Sequence, residues 1–356
     1  MTKLRLPFML LAFVNLLAGI TAGLIRIGWN FSMGALPVHH GAVMVGGFLG
    51  TLILLEKVIP LKRKMLFIIP VINALSLLMI IPAFSHIGQA FLLIGALGLL
   101  YVLILYFIKQ PYDLSIILML MGSCCLIMGH AMLISRQFYP IAFPWWMGFI
   151  LFVIVGERLE LSKFLPVTRM NKNVLIGFLF LFLAGLIVPF HGIGRYMSAA
   201  GLVFVGVWLL RHDIVSIAMK KSGVTRFSAY GLFSGCIALV FTGIFLVSLP
   251  DVPMAYDAVV HTFFLGFVFS MIFAHGPIIL PGVLGLSIRP YHWLLYFPLI
   301  TLWSSLMMRI LADLAIISLQ FRLISGWLTA GSILSYFIIL AVNAIPTPKA
   351  TNAHAV

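Results

Sequence analysis

Long apolar runs separated by short polar loops recur along the whole of this sequence. The 356-residue chain is 63% hydrophobic and only 8% charged, and its mean hydropathy is +1.19. A soluble domain does not bury apolar surface in that proportion, since about 45–50% apolar residues is usual. The sequence therefore predicts an all-α integral membrane protein. It has one polytopic transmembrane domain over residues 1–349 and a short cytoplasmic tail over residues 350–356.

A window of about 20 residues, the length that an α-helix needs to cross a bilayer, predicts about twelve transmembrane helices. Loops between them are brief, and no repeat or soluble insert interrupts them. The sixth span is short, so it is tilted or begins earlier. The predicted spans are 6–25, 38–56, 65–83, 88–108, 114–134, 143–157, 173–190, 197–212, 228–249, 257–280, 291–310 and 323–345.

The formal net charge of +14 reflects membrane topology rather than nucleic-acid binding, because the basic residues lie in short loops between apolar runs. With twelve spans, 17 of the 22 Lys and Arg residues fall on one side of the membrane. The other side keeps five arginines: Arg26, Arg136, Arg195, Arg309 and Arg322. Because the basic side faces the cytoplasm, both termini are predicted there, in a bacterial inner membrane. The apolar run after Lys3 and Arg5 is predicted to be an uncleaved first helix.

The sulfur-containing residues are interpreted as core residues. All three cysteines, Cys124, Cys125 and Cys236, lie inside apolar runs, so a disulfide framework is not expected. There are 18 methionines, and their default role is packing. The alternative role, ligation of copper or iron, is open in principle to Met33, Met44, Met128, Met132 and Met271.

Two histidines begin apolar spans at the same predicted depth on the outer side. His40 opens the second span and His261 opens the tenth. An ionisable residue inside a membrane needs a partner, and two neutral imidazoles on different helices suit bis-histidine ligation of a haem. The alternative for each is a neutral imidazole bonded to a backbone carbonyl. His130, late in the fifth span, and His39, which points about 100° away from His40, are the alternate ligands.

The residues that follow these histidines are small or aliphatic. His40 shares a helix face with Met44 and Gly47, at spacings of four and seven residues. Glycines in both spans either open a flat slot for a macrocycle or allow close helix packing, which is common in membranes. These glycines are Gly41, Gly46, Gly47, Gly50 and Gly266.

Charged residues near the outer ends of the last spans are candidates for binding and orienting a haem. Asp257 lies four residues before His261 and is predicted to orient it, as acidic partners of ligating histidines do; the alternative is a solvated residue at a helix start. Arg309 and Arg322 are predicted to pair with haem propionates. Arg309 and Asp313, four residues apart, also fit an ordinary ion pair.

The tenth span is predicted to break near its inner end, at Pro277 and Pro281. His275 lies 14 residues after His261, which places it about 21 Å deeper along a helix. A second cofactor or a proton route would use such a histidine. A proline-kinked helix end with a buried histidine is the favoured interpretation.

These segments resemble a known family. The second span contains HGAVMVGGF (residues 40–48), which resembles the His-x-His-x-Met-x-x-Gly-Phe segment of the NnrS family. The tenth begins with HTFFLGF (261–267), similar to that family's His-Ala-Leu-x-x-Gly segment, and RILA (309–312) with LISGW (323–327) looks like its closing arginine and last span. The resemblance implies a membrane protein containing haem b and possibly copper, active in nitric oxide tolerance, denitrification or respiratory electron transfer. It also implies an electron-transfer partner in the membrane or the periplasm.

The layout also resembles subunit I of the haem–copper oxidases, which has twelve spans and haem ligands on the second and tenth. That resemblance implies an oxidase-like bundle, but two differences argue against a dinuclear haem–copper centre. Phe263 stands where the oxidases carry a second histidine, and no histidine lies within the sixth and seventh spans. Ala42 stands where the NnrS segment has its second histidine, which argues against a copper site or a second haem. His39 and His275 remain as further metal ligands, and the expected redox chemistry is one-electron exchange at haem.

Two other functions fit the sequence. A transporter without a cofactor would use breaks in the tenth span to form a site near the membrane midplane. An assembly factor would hold haem or copper only transiently. The sequence shows no clear inverted repeat, which argues against the transporter.

Overall fold

The computed structural model describes residues 5–161, 167–248, 254–286 and 289–344. Within these ranges all regular secondary structure is helical. A short helix, Val215–Ala218, lies between the eighth and ninth main helices. The main helices are α1 (Leu6–Arg26), α2 (Leu36–Leu61), α3 (Lys64–Ile80), α4 (Ser85–Lys109), α5 (Leu114–Arg136), α6 (Tyr139–Leu161), α7 (Arg169–Ile187), α8 (Phe190–His212), α9 (Gly223–Ser248), α10 (Ala255–Leu284), α11 (Trp293–Asp313) and α12 (Gln320–Ala344). The tail predicted at 350–356 lies outside the described residues.

In the described part of the chain, eleven of these helices are long and apolar enough to cross a membrane, which indicates a multi-pass membrane protein. Each overlaps one predicted span. The predicted third span, 65–83, corresponds to α3, which is shorter than the others. The sixth span begins earlier, which was one of the two alternatives expected for it: α6 starts at Tyr139 and continues through Pro144.

Helices that follow each other in the chain pack side by side, as short connections favour. The most extensive pairs are α5 with α6, α9 with α10, and α1 with α2. Helices α2 and α10 are distant in sequence but meet inside the bundle, where the rings of Phe48 and Phe269 stack with their centroids 6.2 Å apart. The two helices that carry His40 and His261 are therefore neighbours.

Both of these helices contain a π-helical segment just after the histidine. In α2 the segment is Val43–Gly50, and in α10 it is Thr262–Phe269. A π-helical segment makes hydrogen bonds five residues apart, which widens the helix, and such segments are frequent at functional sites. The same local distortion thus follows His40 and His261 on two facing helices.

The prediction that α10 breaks at its prolines is wrong. The helix continues through Pro277 and Pro281 as far as Leu284. Pro277 has no N–H to donate to the carbonyl of Phe273, four residues earlier. The hydroxyl of Tyr336 on α12 donates to that carbonyl instead, at 3.0 Å. A partner from another helix therefore replaces the lost hydrogen bond, and the helix stays continuous.

Candidate functional site

A cavity of about 340 Å³ lies between α1, α2, α6, α10, α11 and α12, and both His40 and His261 line it. Its volume falls within the range of small-molecule sites, about 300–1,000 Å³. Most of the wall is apolar, including Met44 on α2. The polar residues of the wall are Arg26, His40, Tyr139, Tyr256, Asp257, His261, Arg309, Arg322 and Thr329.

The ring of His40 is held by α1. Its Nδ1 lies 2.8 Å from the carbonyl oxygen of Gly19. A carbonyl only accepts hydrogen bonds, so Nδ1 donates and the lone pair is on Nε2. Gly23 makes room for this ring, because a Cβ at that position would lie 2.9 Å from Cε1 of His40.

His261 is held in the same way by its own helix. Its Nδ1 lies 2.9 Å from the carbonyl oxygen of Asp257 and 3.3 Å from the Oδ2 of that residue. Nδ1 is again the donor, so Nε2 keeps its lone pair. Both histidines therefore have the tautomer in which Nε2 can coordinate a metal, and in both a carbonyl orients the ring.

Asp257 joins His261 to two arginines. Its Oδ2 lies 2.7 Å from Nη2 of Arg309 and 3.1 Å from Nη2 of Arg322. Asp313 binds the same two arginines from the far side, with its Oδ1 2.6 Å from Nε of Arg322 and its Oδ2 3.8 Å from Nε of Arg309. Arg309 therefore pairs with Asp313 and also lines the cavity, so the two roles expected for it are compatible.

Arg26, at the end of α1, adds a third cation to the cavity wall. Among the described residues it has no ion-pair partner. Three arginines and two aspartates give this end of the cavity a net charge of +1 when the imidazoles are neutral. Because ionised donors bind carboxylates more strongly than neutral ones, the wall is suited to an anionic group.

His39 and His130 lie behind the cavity wall and do not line it. Nδ1 of His39 is 2.9 Å from the hydroxyl of Tyr139, which does line the cavity. His130 is 1% exposed, and neither of its ring nitrogens has a hydrogen-bond partner among the described residues. Its ring packs against Trp146, with the centroids 5.7 Å apart.

His275 belongs to a different network, farther along α10. Its Nδ1 donates to the carbonyl of Met271 at 2.7 Å, and its Nε2 accepts from Nη1 of Arg158 at 3.0 Å. Arg158 also holds Asp213 through two bonds, of 2.7 and 2.6 Å. Both ring nitrogens of His275 are therefore occupied, and this histidine does not reach the cavity.

Most of the glycines predicted to open a slot serve helix packing instead. Gly46 faces His130 and Leu92, Gly47 contacts Asn15 on α1, and Gly266 faces Ala238 on α9. Of the glycines named from the sequence, Gly41 lines the cavity. The glycine against which the His40 ring packs, Gly23, is on α1 and lies outside both histidine-bearing helices.

Several cavity residues were not found from the sequence. Arg26, Tyr139 and Tyr256 were not singled out as site residues, because they lie on other helices or face the cavity only through the packing of the bundle. One signal was present: of the five arginines on the poorly charged side, three line this cavity.

The arrangement provides two imidazole nitrogens and an adjacent cationic wall in an otherwise apolar cavity. The described residues contain no group of three or more His, Cys, Asp or Glu that could hold a metal ion. The imidazole nitrogens and the arginines of the wall suit a ligand that accepts nitrogen donors and carries anionic groups.

The comparisons with known proteins give a family without an assigned function. Residues 5–345 match the family described as "Domain of unknown function (DUF8744)". No curated protein matches the chain, and no solved structure does. Because the match covers nearly the whole chain, this protein belongs to the DUF8744 family.

Proposed function

We propose that the cavity binds one haem b, with Nε2 of His40 and Nε2 of His261 as its axial ligands. The observation that carries this proposal is that both histidines line one cavity and both donate from Nδ1 to a carbonyl. Each Nε2 is thereby left with the lone pair that iron requires. The two ligands would come from α2 and α10, the helices that carry them in the NnrS family and in oxidase subunit I if the resemblance holds.

The charged wall fits the edge of such a cofactor. Haem b carries two propionates, and Arg26, Arg309 and Arg322 are the cations beside the two histidines. Arg26, which has no carboxylate partner among the described residues, would take one propionate. Arg309 and Arg322 would bind the other propionate while they remain paired with Asp257, which also fixes their position.

The function that follows is electron transfer by a membrane protein. A haem with two histidine ligands supplies one-electron exchange, and ligation at both axial positions favours electron transfer over the binding of a gas. The resemblance to the NnrS family implies that this activity serves nitric oxide tolerance, denitrification or respiration. The partner would be an electron carrier in the membrane or the periplasm, and the protein would lie in a bacterial cytoplasmic membrane with both termini inside.

The test is a reduced-minus-oxidised absorption spectrum of the full chain, purified in detergent from haem-replete cells. We expect the bands of a low-spin haem b and one haem per chain. His40→Ala and His261→Ala should each abolish the low-spin spectrum, because each removes one axial ligand.

Three variants separate ligation from general damage. His130→Ala and His275→Ala should keep the spectrum, because neither residue lines the cavity. His191→Ala is the matched control, since His191 is exposed and distant in sequence from both ligands. A wild-type protein without haem, or a spectrum that survives the loss of both His40 and His261, would refute the proposal. Weak, substoichiometric retention would instead favour transient holding by an assembly factor.

A further inference from the structure

A second cavity, of about 480 Å³, lies at a different place in the bundle and shares no lining residue with the histidine cavity. Four sulfur-containing residues of α5 line it: Met121, Cys124, Cys125 and Met128. Their spacing of three, one and three residues puts all four on one side of the helix. The remaining wall is apolar and includes Trp145 of α6.

None of these sulfur atoms is part of a disulfide. All three cysteines of the chain are free thiols, and Cys124 is exposed. Met128 is 36% exposed on the same side of α5. Cys125 is buried, with its Sγ 3.0 Å from the position that a Cβ on Gly148 would take. No hydrogen bond in the described part of the chain occupies either of these two thiols.

We propose that these four residues form a binding site for one soft, monovalent metal ion of the Cu(I) class. Thiolate and thioether sulfur select such ions, whereas carboxylates, carbonyls and water suit Mg²⁺, Ca²⁺ and Mn²⁺. The wall of this cavity offers almost no oxygen or nitrogen ligand. The ligand set therefore selects the class of metal through its chemistry, and it selects against hard cations.

Charge neutrality makes the site compatible with an apolar surrounding. Binding replaces the proton of one thiol by the metal ion: a metal–sulfur bond forms, an S–H bond breaks, and the proton leaves the site for the aqueous phase outside the membrane. One thiolate and one monovalent cation carry no net charge, which avoids the cost of an isolated charge in an apolar medium. The second thiol and the two thioethers coordinate through their lone pairs, and no atom changes oxidation state.

The proposal is independent of the haem proposal, because the two sites use different helices and different ligands. Ag(I) is the probe, since it is a soft monovalent ion that does not undergo redox cycling. The full chain, purified in detergent, is loaded with Ag(I), equilibrated with a soluble thiol competitor, separated and analysed for silver and protein.

We expect one tightly held Ag(I) per chain and release of one proton per ion bound. Cys124→Ala/Cys125→Ala should weaken retention by more than about tenfold, because losing a partner that only supports a ligand already costs that much and these two residues are the proposed ligands. Met121→Leu/Met128→Leu should weaken it as well, and this variant preserves core volume and folding. Cys236→Ala is the matched control, because Cys236 is a buried cysteine outside this cavity.

His40→Ala should retain Ag(I) as the wild type does, so that failure of this proposal and failure of haem binding are distinguishable. The proposal is overturned if the wild-type chain gives up all its silver to the competitor. It is also overturned if the double cysteine variant and the double methionine variant both retain silver like the wild type, or if Cys236→Ala loses as much as they do.

Discussion

The orientation of the His40 ring depends on the absence of a side chain at Gly23. A Cβ at Gly23 would lie 2.9 Å from Cε1 of His40, so in Gly23→Ala the imidazole has to move. Movement lengthens the 2.8 Å bond from Nδ1 to the carbonyl of Gly19. We expect the haem-to-protein ratio to fall by about tenfold or more, the effect of disturbing the group that orients a ligating histidine.

Gly177→Ala is the control for this variant, because a Cβ at Gly177 meets nothing within 4 Å. Haem content per chain, measured after purification of all three proteins at equal yield, decides the outcome. Full haem occupancy in Gly23→Ala would show that the orientation of the His40 ring seen here is not required for ligation.

For single residues, the sequence allowed the prediction that His40 and His261 lie near each other, as their place in one cavity shows, but not the prediction of the residues around them. Depth in the membrane follows from the hydropathy pattern, so two histidines at equal depth could be paired. The contacts of His40 with Gly19 and Gly23 depend on the rotation of α1 against α2, which apolar side chains all round α1 leave undetermined. The same limit applies to His275, whose bonding to Arg158 spans 117 residues of sequence.

Among the helices, α10 stays continuous through its prolines because another helix supplies a hydrogen-bond donor. The hydroxyl of Tyr336 donates to the carbonyl of Phe273 at 3.0 Å and lies 3.2 Å from that of Ile272. Tyr336→Phe removes this donor and leaves a buried carbonyl unsatisfied, which costs about 1–3 kcal/mol. We expect a lower temperature of unfolding in detergent, and haem that is lost at a lower temperature.

The substitution isolates the hydroxyl, because the ring of Tyr336 stacks on Phe273 with the centroids 3.9 Å apart and a phenylalanine keeps that contact. Tyr101→Phe is the matched control, since Tyr101 is 50% exposed. Equal unfolding temperatures for Tyr336→Phe and Tyr101→Phe would mean that the freed carbonyl has another partner or needs none.

The positions of the helices were predictable because a bilayer sets their length and composition. The wrong prediction at Pro277 has a definite cause: local sequence reports the missing N–H, but the replacement donor is 63 residues away. The π-helical segments after His40 and His261 were also not predicted. They arise from packing between helices, and HGAVMVGGF and HTFFLGF share no pattern that distinguishes them from ordinary α-helix.

For the whole molecule, polar interactions are concentrated towards the two ends of α2 and α10. His40 and the Glu56–Lys57–Glu157 cluster, in which Lys57 lies 2.9 Å from both carboxylates, are about 24 Å apart along α2. On α10, His261 and His275 are about 21 Å apart. Paired charges near the ends and apolar residues between them are the arrangement that a bilayer favours, because an unpaired charge in hydrocarbon is costly.

The orientation of the bundle gives the last prediction. The excess of Lys and Arg at the end opposite His40 predicts that this end faces the cytoplasm. Met65 lies at that end and is 82% exposed, whereas Ile193 is predicted at the other end and is 65% exposed. In a chain whose three native cysteines are replaced by alanine, Ile193→Cys should react with a membrane-impermeant maleimide in intact cells. Met65→Cys should react only after the membrane is opened.

The two variants control for each other, since both cysteines are exposed and differ only in the side of the membrane. The result also bears on the haem proposal, because electrons from a periplasmic carrier can reach His40 and His261 only if their end faces outward. The reverse labelling pattern would place the histidine cavity at the cytoplasmic surface. The electron donor would then have to be a cytoplasmic or membrane-bound protein, even if haem binding itself were established.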